Sequence, residues 1–337
     1  MNAPEIYSTK EAWLAARATG LGSSDVAAAL GENKYKSPHK LWSEKTGLSK
    51  PDAENAKMYA GTVGEESAAK MFAYLNPDIE VITPLDFAFS GAAGQPIVAM
   101  DGGGVDEDSK VIWRDPAKPH AMATPDRLTM ATARVLGLLE LKCPNWRNRH
   151  QWDDGPPTQY VIQALHQFTV LRACGVKLEE LRLAAWFGSD DLVVFSLPCD
   201  DTVLTESIAS GVDAFWKRVE SKRAPPISLS GSDSDHDSLA AVYPKEDPGT
   251  MIELPADLVE RWVKAKSVET LAESNAKALA ADIKAHMGAH EVGLYKGSKI
   301  CTWKEKTVNY QAKDASTATY RTLTRARNWL TIMGLDA

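Results

Sequence analysis

The spacing of apolar residues changes along the chain from helical to strand-like and back. Thr9-Lys-Glu-Ala-Trp13 reads as a capped helix start, followed by a Gly/Ser turn, Gly20-Leu-Gly-Ser-Ser-Asp25. Val26-Ala-Ala-Ala-Leu30 then predicts a second helix, with Ser23 or Ser24 as its N-cap. Its free N–H groups and hydroxyls suit a phosphate. Ser37 to Gly47 predicts a short helix, with Pro38 just inside its start and Gly47 past its end. Met58 to Leu75 predicts a long amphipathic helix with Val63, Ala68, Met71 and Phe72 on its apolar side. From about 79 to 143 the pattern turns to strands, at 79–82, 87–89, 97–100, 111–113, 121–124 and 138–143. A helix from Gln159 to about Ala173 buries Val161, Ala164, Leu165, Phe168 and Leu171. Tyr160, Gln163 and Gln167 form a separate stripe on it. Leu181–Phe187 and Leu192–Phe195 flank Gly188-Ser-Asp-Asp191 as a hairpin, and a helix from about Asp201 to Val219 closes the region. This order predicts a mixed α/β fold around one central sheet.

The pattern weakens over 224–256, where Pro225, Pro226, Pro244, Pro248, Gly249, Pro255 and a Ser/Asp tract read as a linker or loosely packed arm. Leu258 to Met287 is helical in composition. Two short strands follow, Val292–Tyr295 and Ile300–Trp303, and then a last helix at about 315–330 that carries Arg321, Arg325 and Arg327. The predicted plan is a domain at 1–223, an acidic arm at 224–256 and a mainly helical extension at 257–337.

A chain of 337 residues that is 44% hydrophobic and 25% charged can bury a sizeable core. No apolar run approaches the roughly 18 to 20 residues of a membrane span, and Met1-Asn-Ala-Pro-Glu5 lacks the basic start and apolar core of a signal peptide. The expectation is a cytoplasmic protein without a membrane partner. Cys143, Cys174, Cys199 and Cys301 form no C-x-x-C pair, so they are expected to be reduced thiols, mostly in the core, and not zinc or iron–sulfur ligands. The net charge of −7 argues against indiscriminate nucleic-acid binding. That average hides structure, however. Acid concentrates in 224–256, while Arg147, Arg149 and His150 cluster beside Trp146 and Trp152, and Lys217, Arg218, Lys222 and Arg223 form a second basic group.

Candidate chemistry sits in the strand Leu138–Cys143. Residues two apart share a face, so Glu140 and Lys142 point one way while Leu139, Leu141 and Cys143 point the other. A Glu-x-Lys pair by itself reads as a structural ion pair. Pro125-Asp126 upstream adds a second carboxylate. Two carboxylates brought together repel unless a cation lies between them, and an all-oxygen site suits Mg²⁺. A lysine beside such a metal can position or activate a water for attack on phosphorus. Asp, a gap and Glu-x-Lys form the PD-(D/E)xK pattern of a nuclease superfamily. Glu65 and Glu66, on their own, read as a solvated helix face.

Companion motifs make the pattern specific. The chain resembles the lambda-exonuclease-like, YqaJ-type viral recombinase family over roughly residues 10–220. The resemblance rests on Trp13-Leu-Ala-Ala-Arg17 with Gly22-Ser-Ser-Asp-Val26, Gly61-Thr-Val-Gly-Glu65, Thr124-Pro-Asp126, Leu139-Glu-Leu-Lys-Cys-Pro144 and Tyr160-Val-Ile-Gln163. It implies a restriction-endonuclease-like α/β core and a 5′→3′ double-strand DNA exonuclease that leaves 3′ single-stranded tails for annealing. It implies that Asp126, Glu140 and the Leu141 carbonyl bind two Mg²⁺ or Mn²⁺ ions. Glu65 would sit on the second metal or its waters, Lys142 would orient or deprotonate the attacking water, and Gln163 would hold the nucleophile or a phosphate. Arg17 and Ser24 would form the pocket for a 5′-terminal phosphate. A ring-shaped homotrimer and a partner that anneals single strands are implied as well. Arg127 stands where a small residue is common in the family, and its charge is expected near the DNA backbone. Trp146 and Arg147, with Trp152 and Arg149, are open to a nucleic-acid contact or to core packing. Two other readings stay open: a different PD-(D/E)xK endonuclease, and a catalytically silent DNA-binding module. The extension has a DNA-guiding, subunit-contact, partner-docking or plain packing role.

Overall fold

Residues 2–53, 55–90, 109–131, 136–227 and 233–305 are described by the computed structural model, and the chain divides into units at 1–244 and 245–337. The strand expected at 97–100 and the helix expected at 315–330, with Arg321, Arg325 and Arg327, lie outside the described residues.

The first unit begins with a short strand β1 (Glu5–Tyr7) and three helices, α1 (Lys10–Ala18), α2 (Ser23–Ala29) and α3 (Pro38–Lys45). Thr9 caps α1 and Ser37 caps α3 through their side chains. The N-cap of α2 is Gly22, without a side-chain hydrogen bond, and not either serine. The serines are engaged elsewhere: Ser23 Oγ donates to Met122 O, and Ser24 Oγ accepts from Arg17. The long helix α4 (Ala56–Leu75) leads to β2 (Ile79–Ile82) and then to α5 (Pro84–Ser90), where a strand was expected at 87–89. Thr83 explains the difference. Its hydroxyl accepts from the Asp86 N–H and donates to the Asp86 carboxylate, which caps a helix start that Pro84 already favours.

Strands β3 (Lys110–Asp115) and β4 (Lys118–Ala123) pair with β1 in a small antiparallel sheet of order β1-β3-β4. The main sheet is mixed. It contains β2, β5 (Arg127–Ala131), β6 (Leu136–Lys142), β7 (Glu180–Trp186) and β8 (Leu192–Ser196) in that order, and among the described residues β6 and β7 are its only parallel neighbours. A parallel pair needs a crossover, here a 3-10 turn at Trp146–Trp152 followed by α6 (Thr158–Ala173). Helix α7 (Thr202–Glu220), capped by Asp201, packs on α6. The sheet therefore carries helices on both faces, as a mixed α/β fold requires. Leu136 and Leu138 meet α6 and α2 on one face, while Leu139 and Leu141 meet Ala68, Ala69 and Phe72 of α4 on the other.

Part of the stretch read as a loose arm is ordered. Asp233–Val242 forms α8, and it docks on α3 through polar groups. His39 Nδ1 lies 2.7 Å from Ser238 Oγ, which donates to Ser43 Oγ at 3.2 Å, and all three residues are buried. Such a network holds two helices only if its members satisfy one another. In the second unit, α9 (Ala256–Met287) precedes a hairpin of β9 (Val292–Tyr295) and β10 (Ser298–Thr302). The four thiols are free, but only Cys174 is fully buried. Among the described residues, no helix is long and apolar enough to cross a membrane.

Candidate active site

Glu140 lies in the middle of the main sheet, with neighbours on both sides, and is 0% exposed. Its side chain points to the α6 face because it alternates with Leu139 and Leu141. Oε1 accepts hydrogen bonds from Lys142 Nζ, two residues along the strand, and from Gln163 Nε2 of α6 at 2.5 Å. Oε2 is buried and has no hydrogen-bond partner among the described residues. An unpartnered carboxylate oxygen in a core costs several kcal/mol and calls for a cation or a proton.

Asp126 approaches from the start of β5. Its Oδ2 accepts from the Leu141 N–H at 2.8 Å. The N–H and C=O of one strand residue point to the same side, so the Leu141 carbonyl opens toward Asp126 as well. Glu65, half-buried on α4, completes the group. Burial first, and then the Asp126 charge, pushes Glu65 up to about 7 and Glu140 up to about 8. Burial draws Lys142 down, but the charges of Glu140 and Asp126 outweigh it and leave Lys142 an ammonium. Lys142 Nζ also lies 5.5 Å from the centroid of the Tyr160 ring, which stacks on buried Trp152.

Gly64 permits this convergence. A Cβ on it would stand 2.8 Å from Cys143 Sγ, so only glycine lets α4 cross the end of β6 at this distance and bring Glu65 to the strand.

The donor set fits a hard divalent cation: carboxylates that repel one another, a buried oxygen without a partner and an inward carbonyl. Among the described residues, no three His, Cys, Asp or Glu side chains are grouped at ligand spacing. Mg²⁺ does not need such a cage, because it binds through one or two carboxylates and keeps waters and substrate phosphates.

A second cluster joins the first two motifs. Arg17 Nη2 donates to Ser24 Oγ at 2.8 Å, and its guanidinium lies 4.7 Å from the Trp13 ring. Lys45 Nζ donates to Arg17 O and pairs with Asp25 at 2.9 Å. A Cβ at Gly22 would touch Arg17 Nη2 at 2.9 Å. No hydrogen bond or ion pair among the described residues links this cluster to Glu140. The connection is through packing, since α2 lies against α6, the helix that supplies Gln163.

Arg127 is engaged within the protein. It donates to Asp126 O and pairs with Glu66 at 2.5 Å, so it fastens β5 to α4. The tryptophans separate, with Trp152 in the core and Trp146 in solvent. Gln167, buried beside Glu140 and drawing its pKa down, was legible only as part of the Tyr160–Gln163–Gln167 stripe. The approach of Gly64 to Cys143 had no sequence signal beyond the glycine itself.

A mixed sheet that presents Glu and Lys at the end of one buried strand and Asp at the start of the neighbouring one, with a helical glutamine over them, defines a class of α/β proteins with an acidic, cation-ready centre. Comparison with known proteins adds a likeness: residues 12–173 match the family described as the YqaJ-like viral recombinase domain. The chain is 25% identical over 306 residues to the uncharacterized protein YqaJ of Bacillus subtilis (strain 168), spanning 89% of this chain and 85% of that protein. It is also similar to the crystal structure of an alkaline exonuclease, LHK-Exo, from Laribacter hongkongensis. There the TM-score is 0.46 at 22% identity, over 64% of this chain and 94% of the other. The LHK-Exo complex with dAMP matches with the same TM-score at 21% identity.

Proposed function

We propose that this protein is a Mg²⁺-dependent 5′→3′ double-strand DNA exonuclease that produces 3′ single-stranded tails for recombination by strand annealing. The observation that carries the reading is Glu140: a fully buried carboxylate with one oxygen held by Lys142 and Gln163 and the other without a partner, facing Asp126. The likeness of residues 12–173 to that recombinase family supports the substrate class.

Asp126, Glu140, the Leu141 carbonyl and Glu65 would hold two Mg²⁺ ions, with Mn²⁺ able to substitute. Bound there, the ions would stabilise charge on the phosphoryl oxygens and lower the pKa of water. Gln163 fixes the Glu140 carboxylate from the helix side. The Lys142 ammonium, steadied by Glu140 and the Tyr160 ring, points a water or a phosphate oxygen toward the carboxylates. Arg17, with Ser24, takes the 5′-terminal phosphate as a charge-assisted partner. Trp146 and Arg147 contact the DNA beyond the site, whereas Arg127 serves by bracing Asp126. A homotrimeric ring and a single-strand annealing partner complete the reading, and light scattering of the purified chain tests the trimer.

End-labelled, 5′-phosphorylated linear duplex tests the activity. With Mg²⁺, the 5′ label should be released first, EDTA should stop digestion, and a covalently closed plasmid should survive until linearised. Release from the 3′ end would overturn the polarity, and nicking of the closed circle would make the protein an endonuclease. Binding without any product would make it a silent DNA-binding module.

A further inference from the structure

Two large aromatic side chains stand in solvent on the side of the molecule that follows β6. Trp146 is 64% exposed and Tyr35 is 69% exposed. Each has a cation over its ring: the Arg147 guanidinium carbon is 4.8 Å from the Trp146 centroid, and Lys34 Nζ is 5.0 Å from that of Tyr35. Both rings are mounted on capped turns. Asn145 Oδ1 accepts from the Arg147 N–H at 3.0 Å, and Asn33 Oδ1 accepts from the N–H groups of Tyr35 and Lys36 at 2.8 and 3.0 Å. Lys34 Nζ also donates to Gln151 Oε1 at 3.4 Å, which ties one turn to the other.

Nearby groups of the same type are already committed. Arg149 pairs with Asp153 and Asp191 at 2.9 and 3.3 Å, and Trp152 is enclosed by Tyr160, Phe187 and Phe195. Lys34 and Arg147, in contrast, have no acidic partner among the described residues. The free positive charge on this surface therefore lies next to the exposed rings.

We propose that Trp146–Arg147 and Tyr35–Lys34 form a two-ring platform that binds unpaired DNA bases next to the active site; this deepens the nuclease reading and rests on it. A cation on one face of each ring leaves the other face for a base, and the cations meet the phosphates between successive bases. In a duplex the base faces are covered by their neighbours, so the platform takes the strand only where it is unpaired. Trp146 follows Lys142 by four residues, so the two Cα atoms lie within about 14 Å. At about 3.4 Å per nucleotide along a strand, the first stacked base is within about four nucleotides of the reacting phosphate. The platform would hold the strand that has just left the duplex.

The test uses the full chain in EDTA, with fluorescence anisotropy of a labelled dT12 strand and of an abasic strand of equal length. Trp146→Ala and Tyr35→Ala should each weaken dT12 binding by about 5- to 150-fold while leaving the abasic strand within about twofold. Trp146→Phe, which keeps a ring, should retain most of the affinity. Arg147→Ala should weaken both strands alike and reduce the salt slope by about 0.7. Unchanged dT12 affinity in both alanine variants, or equal losses on both strands, overturns the platform. Melting curves show whether each variant is folded. Wild-type digestion of linear duplex with Mg²⁺ is measured in parallel. A chain that cleaves while its variants bind dT12 normally refutes the platform alone, and a chain that binds through the rings but cleaves nothing refutes the nuclease reading alone.

Discussion

Adding one methyl group at Gly64 should separate the effect of helix propensity from that of close approach. A Cβ there would stand 2.8 Å from Cys143 Sγ and 3.0 Å from Cys143 Cβ, whereas at Gly61, one turn earlier in α4, nothing lies within 4 Å. Either glycine gains about 1 kcal/mol of helix propensity on becoming alanine. Overpacking subtracts about 1–3 kcal/mol, and only at Gly64. Gly61→Ala should therefore be stabilised by about 1 kcal/mol, and Gly64→Ala should range from neutral to about 2 kcal/mol less stable. For a unit of this size their Tm values should differ by about 2–12 °C. The contact is relieved when α4 backs away from β6, and Glu65 moves with it. A displacement of about 1 Å at a catalytic group costs about 100-fold, so turnover of 5′-phosphorylated duplex ends should fall by up to that factor in Gly64→Ala and hold in Gly61→Ala. Adding Cys143→Ala to Gly64→Ala removes the shorter contact and should recover part of both losses, a coupling that a double-mutant cycle reads directly. Equal rises in Tm at the two glycines, with full turnover in Gly64→Ala, would refute the reasoning.

Lys142→Ala should abolish cleavage while metal-dependent DNA binding remains measurable. Gln163 still donates to Glu140 Oε1 when Lys142 is lost, so circular dichroism at pH 7 should be unchanged; loss of the fold would make the pair structural. Arg17→Ala should shrink the preference for a 5′-phosphate over a 5′-hydroxyl end by about 10- to 150-fold, the worth of a hydrogen bond to a charged group. An unchanged ratio would remove Arg17 from the phosphate pocket. His166, buried with Nε2 donating to Met122 O, is pushed by burial from 6.5 down to about 4. The unfolded chain takes up that proton first, so stability is full above pH 6.5 and falls as pH drops toward 4. About 2 kcal/mol is lost by pH 5 and about 3.4 kcal/mol at the limit. Urea melts at pH 8 and pH 5 should show this slope in the wild type and a flatter one in His166→Gln.

Where local rules dominated, the sequence was a sufficient guide. Ser37, Pro38 and Gly47 marked α3 because capping, a pre-set φ and a left-handed residue act within a turn of chain; Gly47 indeed has φ +75°. The period of two placed Glu140 and Lys142 on one face of β6, and helical spacing put Gln163 on a stripe of its own. Phe87-Ala-Phe89 misled, because alternation over three residues is weaker than the Thr83–Asp86 cap that starts α5. Strand β5 escaped detection because its register comes from β2 and β6, neighbours that pairing alone supplies. The Asp126 bond to Leu141 N–H depends on that register, so the site could be named from sequence but not assembled. Whether Trp146 or Trp152 is buried was settled by the turn of the 3-10 segment, which points one inward and the other out.

The clasp between α3 and α8 also bears on synthesis. Ser238 follows His39 by 199 residues. At about 5–20 residues per second, α3 leaves the ribosome about 10–40 s before its partner exists. By the end of that interval the nascent chain has gained the strands and carboxylates of the site but still exposes the face of α3 that carries His39 and Ser43. The last step in maturing the first unit is then the arrival of an acidic helix, not the closing of a strand, and a chain stopped at residue 223 would never reach it.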